Sequence, residues 1–103
     1  MISVLILTMM LNIAGGVPTI ETVEATAYTW TGNKMANGLY PTEGYVASNK
    51  LPLGTKIYIP EMGQHYIVGD RIGHSSELDI YMDSRNKAIN FGRKNLIITY
   101  EKN

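Results

Sequence analysis

The stretch GDRIGHSSELDIYMDS, residues 69–84, contains all three aspartates of this 103-residue chain. Its pattern predicts two short strands joined by a turn, which indicates a β-rich domain. The six glutamates are scattered along the chain, whereas Asp70, Asp79 and Asp83 are gathered in this one unit. Because like charges placed close together are costly and change how the groups titrate, the cluster predicts a functional site.

Short strands separated by turn residues continue on both sides of this unit. One short helix is predicted over Arg85–Phe91, with Gly92 after its end. Asp83 or Ser84 would be its N-cap. Six strands and one helix in about 80 residues predict a small, mainly β barrel. The predicted strands are Val23–Thr31, Gly44–Ser48, Thr55–Ile59, His65–Gly69, Leu78–Met82 and Asn95–Tyr100.

The composition excludes several classes of function. The absence of cysteine excludes disulfides and thiolate metal sites. Neither His65 nor His74 has a metal-ligand spacing, so no metal and no other cofactor is predicted. Nine basic residues balance nine acidic ones, which argues against nucleic-acid binding. We expect a monomer.

The N-terminal part is predicted to be separate from the domain, with residues 1–24 as an apolar segment and linker and residues 25–103 as the domain. Residues 1–14 are almost wholly apolar. They lack the basic start of a signal peptide, and they are shorter than the ~20 residues that span a bilayer as a helix. A degenerate export signal or membrane anchor and a segment packed on the domain both stay open. The first alternative predicts a secreted or cell-envelope protein.

The second strand of the aspartate unit predicts a candidate acid. Side chains alternate along a strand, so Asp79, Tyr81 and Asp83 share one face, and the apolar residues between them form the core face. Partial removal from water would favour the protonated form of the Asp79 carboxyl, as a general acid working near neutral pH requires.

The spacing of the carboxylates limits the mechanism. In a regular strand Asp79 and Asp83 lie roughly 13 Å apart, farther than the ~5–9.5 Å of glycosidase pairs. Asp83 therefore fits a helix N-cap better than catalysis, and Asp70 approaches Asp79 only if the connection between them folds back. Lytic transglycosylation needs a single carboxylate. Asp79 would serve as acid and then as base towards the sugar's own 6-hydroxyl, with Asp70 either tuning the pKa of Asp79 or stabilising the positive charge.

Seven ordered motifs resemble the 3D domain, a family named for three aspartates. This domain occurs in stationary-phase survival and resuscitation-type cell-wall proteins and in the membrane-bound lytic transglycosylase A group. The resemblance covers about residues 25–100 and implies a double-psi β-barrel that acts on peptidoglycan glycan strands. The motifs are ATAYT (25–29), KMANG (34–38), GYVAS (44–48), LPLGTKIYIP (51–60), YIVGD (66–70), LDIYMD (78–83) and AINFGR (88–93).

The resemblance also implies roles for individual residues. It places Asp79 at the family's catalytic aspartate and Asp70 at the aspartate that opens a glycine-rich turn, with Asp83 a looser match. The chain departs from the family in this turn, which reads DRIGHSSE where the family has a pattern near DTGGAIxG. It also has Asn49 where an aspartate is common.

Aromatic and polar residues near the first strand are the candidate substrate-binding groups. Tyr28, Trp30 and Tyr81 could stack on sugar rings, although strand packing is the alternative for each of them. Thr29 and Lys34 complete the predicted set. A non-catalytic carbohydrate-binding barrel and a purely structural domain are the alternatives to the enzyme.

Overall fold

A computed structural model describes residues 17–102 of the chain. These residues form a closed six-stranded barrel and one short helix, so the predicted mainly β barrel is confirmed. The order around the barrel is β1-β5-β2-β4-β3-β6. The elements are β1 (Val17–Tyr28), β2 (Tyr45–Ala47), β3 (Lys56–Ile59), β4 (Gln64–Asp70), β5 (Leu78–Tyr81), α1 (Arg85–Phe91) and β6 (Lys94–Lys102).

The first strand is longer than predicted. It begins at Val17 instead of Val23, and residues 17–25 pair antiparallel with β6. Residues 17–24, which the sequence assigned to the linker, are therefore part of the barrel. The physical reason is that β6 would otherwise present an unpaired edge, which β1 covers. The end of β1, residues 25–28, pairs parallel with β5.

Alternating side chains from the strands fill the barrel interior. On β6, Leu96, Ile98 and Tyr100 are buried, whereas Ile97 between them is 51% exposed. Removing these apolar side chains from water is the main stabilising contribution to the barrel. The rest of the buried core consists of Val23, Ala25, Val46, Leu51, Ile57, Ile59, Tyr66, Val68, Leu78, Ile80 and Met82.

The helix begins and ends where the sequence predicts. Ser84 is its N-cap, since its hydroxyl accepts a hydrogen bond from the Lys87 backbone N–H at 3.3 Å. Gly92 ends the helix with a φ of 69°, a left-handed conformation that favours glycine. Ser84 is thus the N-cap of the two predicted candidates, and the Asp83 carboxylate instead pairs with the Lys87 ammonium at 3.3 Å.

Within residues 17–102, no helix is long and apolar enough to cross a membrane. The apolar residues 1–14, which could be an export signal or an anchor, lie outside the described residues.

Two neighbouring isoleucines of β6 test the barrel core. We expect Ile98→Ala to lower the free energy of unfolding by about 2–5 kcal/mol, because it leaves a cavity in the core. The exposed Ile97→Ala is the matched control and should cost less than about 1 kcal/mol. Urea unfolding followed by circular dichroism measures both. Equal losses for the two variants would contradict this barrel register.

Candidate functional site

The barrel brings Asp70 and Asp79 to positions on either side of Ala47. In the strand registers, Ala47 of β2 pairs with Asp79 of β5 on one side and with Asp70 of β4 on the other. Adjacent strands lie ~4.8 Å apart, so the two aspartate Cα atoms are roughly 10 Å apart. β4 and β5 run in opposite directions on either side of β2, so the connection between them folds back, as the approach of Asp70 to Asp79 requires.

Asp79 lies between Leu78 and Ile80, which are both buried in the core cluster, so its side chain points to the opposite face of β5. The register of β2 with β4 shifts between the Val46–Val68 and Ala47–Asp70 pairs, so the strand pairing does not fix the face to which Asp70 points. The sequence predicts that this face of β5 is partly open, yet Asp79 is only 7% exposed. The loop of residues 71–77 contacts this face through His74 and Ser76 and covers the carboxyl.

The Asp79 carboxylate has a partner on each oxygen. The Thr26 hydroxyl donates to Oδ1 at 2.9 Å from the neighbouring position of β1. On the other side, His74 Nε2 lies 3.1 Å from Oδ2. Because a buried carboxylate without partners would be costly, these bonds make its burial tolerable.

The hydroxyl groups of Thr26 and Ser76 link the Asp79 carboxyl to the backbone by consecutive hydrogen bonds. These bonds can form whether the Asp79 carboxyl is ionised or protonated. Thr26 Oγ1 lies 3.0 Å from Ser76 Oγ, which in turn donates to the Leu78 carbonyl at 2.8 Å. When Asp79 is ionised, Thr26 donates to its carboxylate. When Asp79 is protonated, it can donate to Thr26, which then donates to Ser76. Both arrangements keep the donors paired, so the proton can be lost and regained without an unpaired buried group.

Asp70 anchors the loop between β1 and β2, residues 29–44. We call it the covering loop, and it is distinct from the 71–77 loop over Asp79. Its Oδ1 accepts hydrogen bonds from the backbone N–H groups of Ala36, at 2.9 Å, and of Arg71, at 2.8 Å. The preceding carbonyl, of Gly69, accepts the Asn37 N–H at 3.0 Å. A Cβ on Gly69 would lie 2.8 Å from the Tyr45 ring. The close approach of this loop therefore depends on the absence of a side chain at residue 69.

Arg71 and Asn49, the two residues that depart from the 3D-domain pattern, join the turn after β4 to the loop after β2. The Arg71 guanidinium donates to the carbonyls of Ser48, at 2.8 Å, and Leu51, at 2.6 Å. The Asn49 side chain makes paired hydrogen bonds with the Ile72 backbone at 2.8 and 2.9 Å. Both residues therefore hold the start of the 71–77 loop against the barrel. The sequence marked both as unusual but did not indicate this contact.

Tyr28 lies within the electrostatic influence of both aspartates. Burial raises the pKa of the Tyr28 phenol, and the negative charges of Asp70 and Asp79 raise it further. Its hydroxyl is buried without a hydrogen-bond partner among the described residues. The Tyr28 ring packs edge-on against Tyr81 with centroids 5.4 Å apart. Since Tyr81 is itself buried, its ring is a packing element instead of a face open to a sugar.

An exposed aromatic platform consists of Trp30, Lys34 and Tyr40 on the covering loop. Trp30 and Tyr40 are both more than half exposed, and their ring centroids lie 5.7 Å apart. The Lys34 ammonium lies 5.4 Å from the Tyr40 ring centroid. The sequence identified Trp30 and Lys34 but missed Tyr40, because no strand or helix period relates residues 30 and 40. Thr29 is half-buried beside the platform.

Asp83 does not join the other two aspartates. Its exposed carboxylate pairs with Lys87, and its backbone N–H donates to Glu43 Oε2 at 2.7 Å. Within the described residues it forms no hydrogen bond with Asp70 or Asp79. Its position after β5 is therefore explained by the start of α1.

In the described part of the chain, the aspartates belong neither to a metal-binding cluster nor to the lining of the cavity described below. Residues 17–102 contain no group of three or more His, Asp or Glu side chains that could hold a metal ion. A cavity of about 290 Å³ has a floor of core residues and a charged rim, and it shares Ser76 with the hydroxyl chain. Its lining is Glu21, Val23, Ser48, Asn49, Lys50, Leu51, Ser76, Glu77, Leu78 and Ile98.

Comparisons with protein-family models, with curated proteins and with solved structures found no match to this chain. The resemblance to the 3D domain therefore stays a prediction from the sequence motifs.

Two glycines beside Asp70 test how the covering loop is held. Gly69→Ala should lower the free energy of unfolding by about 1–3 kcal/mol, because its Cβ would displace Tyr45 and Asn37. Gly73→Ala is the matched control. Nothing lies within 4 Å of its Cβ, so the change should stay within about 0.5 kcal/mol. Thermal unfolding compares the two, and a Gly69→Ala protein as stable as the control would contradict the close packing.

Proposed function

We propose that the protein is a peptidoglycan lytic transglycosylase. It would cleave the bond between N-acetylmuramic acid and N-acetylglucosamine and leave a 1,6-anhydro sugar. The observation that carries the proposal is the Asp79 carboxyl, which is buried, bonded on both oxygens, and connected to hydroxyl groups that accept either of its protonation states. A group that must first give and then take a proton needs such surroundings.

The chemistry requires one proton and one carboxyl group. Protonated Asp79 would donate to the glycosidic oxygen as the bond from this oxygen to C1 of the muramic residue breaks. The 6-hydroxyl of the same residue would then attack C1, and its proton would return to Asp79. No water is consumed, and the carboxyl ends the cycle as it began. The reorientation of Thr26 and Ser76 would accompany each transfer.

Asp70 would contribute its charge. Asp70 lies on the other side of Ala47 from Asp79, where a negative charge would favour the positively charged sugar in the transition state. It also orders the covering loop through the Ala36 N–H. Asp83 has no part in the proposed chemistry.

The family resemblance supports the same function. A six-stranded barrel with two parallel pairs, β1–β5 and β2–β4, agrees with the double-psi arrangement that the motifs imply. The departures at Arg71 and Asn49 have structural partners in this chain, so the altered turn is closed against the barrel. A substrate in the cell wall would require a location in the cell envelope or outside the cell.

A non-catalytic carbohydrate-binding barrel is the second candidate. The aromatic platform supports it, since exposed Trp and Tyr rings offer apolar faces on which sugars stack. The platform is compatible with the enzyme as well, because binding and cleavage use different groups.

The role of Asp79 can be tested with purified peptidoglycan. Asp79→Asn cannot donate or accept the catalytic proton, so release of 1,6-anhydro-muropeptides should fall about 10²–10⁴-fold. Asp83→Asn is the matched control and should stay within about twofold of the wild type. Mass spectrometry of the released products measures both, and circular dichroism confirms folding. An Asp79→Asn protein that still releases these products at the wild-type rate would refute the assignment.

The role of the platform can be tested without catalysis. In an Asp79→Asn background, Trp30→Ala should weaken binding to insoluble peptidoglycan about tenfold, because a stacked aromatic contributes about 1 kcal/mol or more. Tyr58→Ala on β3, whose ring packs against His65, is the control and should bind as the parent does. Co-sedimentation measures the affinities. Equal affinity of the Trp30→Ala protein and its parent would exclude the platform from substrate binding.

A further inference from the structure

His74 is hydrogen-bonded through both of its ring nitrogens. Nε2 lies 3.1 Å from Asp79 Oδ2, and Nδ1 accepts the Ser76 backbone N–H at 3.3 Å. Because Nδ1 is an acceptor, the proton of the neutral ring is on Nε2 and is donated to Asp79. The backbone of the 71–77 loop therefore fixes the tautomer that faces the carboxylate.

The ring also connects the buried carboxyl to solvent. The His74 side chain is 48% exposed, whereas the Asp79 side chain is 10% exposed. The Ser76 bond to Nδ1 is long, at 3.3 Å. A second proton can therefore reach Nδ1 from water at the cost of one weak hydrogen bond, and the charged ring keeps its bond to Asp79.

We propose that His74 is a positioning residue that forms an acid–base pair with Asp79 and supplies it with a proton at neutral pH. This inference rests on the function proposed above. The motif that the family has in this turn contains no histidine, so the pair is a feature of this chain's own sequence.

The physical argument is the hydrogen bond between an exposed imidazole and a buried carboxyl. The ring can receive a proton from water on its exposed side and pass a proton to Asp79 along this bond.

Each proton that the His74–Asp79 pair gives up is returned by the end of the reaction. The proton on His74 Nε2 moves to Asp79 Oδ2, and Asp79 protonates the glycosidic oxygen as its bond to C1 breaks. When the 6-hydroxyl attacks C1, Asp79 takes the hydroxyl proton, and the pair again holds one proton. No oxidant, water or metal takes part.

Other ionisable groups lie around the pair. Burial raises the pKa of Tyr28 on β1, and the charge of Asp79 raises it further, so this phenol stays neutral through the relevant range. Asp70 on β4 and Tyr81 on β5 also raise the pKa of Tyr28. The Arg71 guanidinium, in the same loop as His74, is held by backbone carbonyls.

The test is the pH profile of 1,6-anhydro-muropeptide release by the full chain. In His74→Gln, activity at pH 7 should fall at least about tenfold, because Asp79 loses its route for a proton from solvent, and the pH dependence should differ from that of the wild type. His65→Gln changes the other histidine of the chain, which is exposed on β4, and its profile should match the wild type. His74→Asn repeats the test should His74→Gln fail to fold.

A second measurement separates the possible failures. Nitrogen NMR of the wild type at high pH should show His74 as a single Nε2–H tautomer. An even tautomer mixture, or a His74→Gln profile that superimposes on the wild type, would overturn the pair and leave the transglycosylase proposal standing. Absence of 1,6-anhydro products from the wild type at every pH would instead overturn the proposed function, and the pair with it.

Discussion

The site depends on the simultaneous pairing of β2 with β4 and β5. This strand has only three residues, Tyr45–Ala47, yet it pairs parallel on one side and antiparallel on the other. The side chain of Val46 lies in the core, while Ala47 pairs with Asp70 on one side and with Asp79 on the other. The strand pairing that closes this part of the barrel therefore also brings the two aspartates of the candidate site together.

The two aspartates have different surroundings, and their different roles follow. Asp70 accepts hydrogen bonds from backbone N–H groups and orders the covering loop, so its carboxylate has a structural role. Asp79 is bonded to a threonine hydroxyl and a histidine ring, both of which can exchange a proton. Only the second environment can change protonation state without breaking the backbone structure around it. Asp70 also positions, through the covering loop, the platform that carries Trp30.

Much of the fold followed from the sequence, because its signals are local. Alternating apolar residues and turn glycines placed five of the strands within two residues of their observed bounds, and helix α1 as observed. The sequence left the N-cap open between Asp83 and Ser84. In the structure Ser84 accepts the Lys87 backbone N–H and is the N-cap, whereas Asp83 pairs with the Lys87 ammonium. The early start of β1 was missed because only the distant β6 makes residues 17–24 a strand.

The sequence by itself determined the barrel class and identified Asp70 and Asp79 as the candidate site residues. Clustered carboxylates and period-two patterning are properties of neighbouring residues. Tertiary structure decided the rest: that Ala47 joins the two aspartates, that the 71–77 loop covers Asp79, and that Trp30 and Tyr40 meet. Those facts depend on strand order and loop paths, which no local pattern encodes. The contact of His74 with Asp79 belongs to this second class, because the two residues are five positions apart and only the folded loop brings the ring back to the carboxyl.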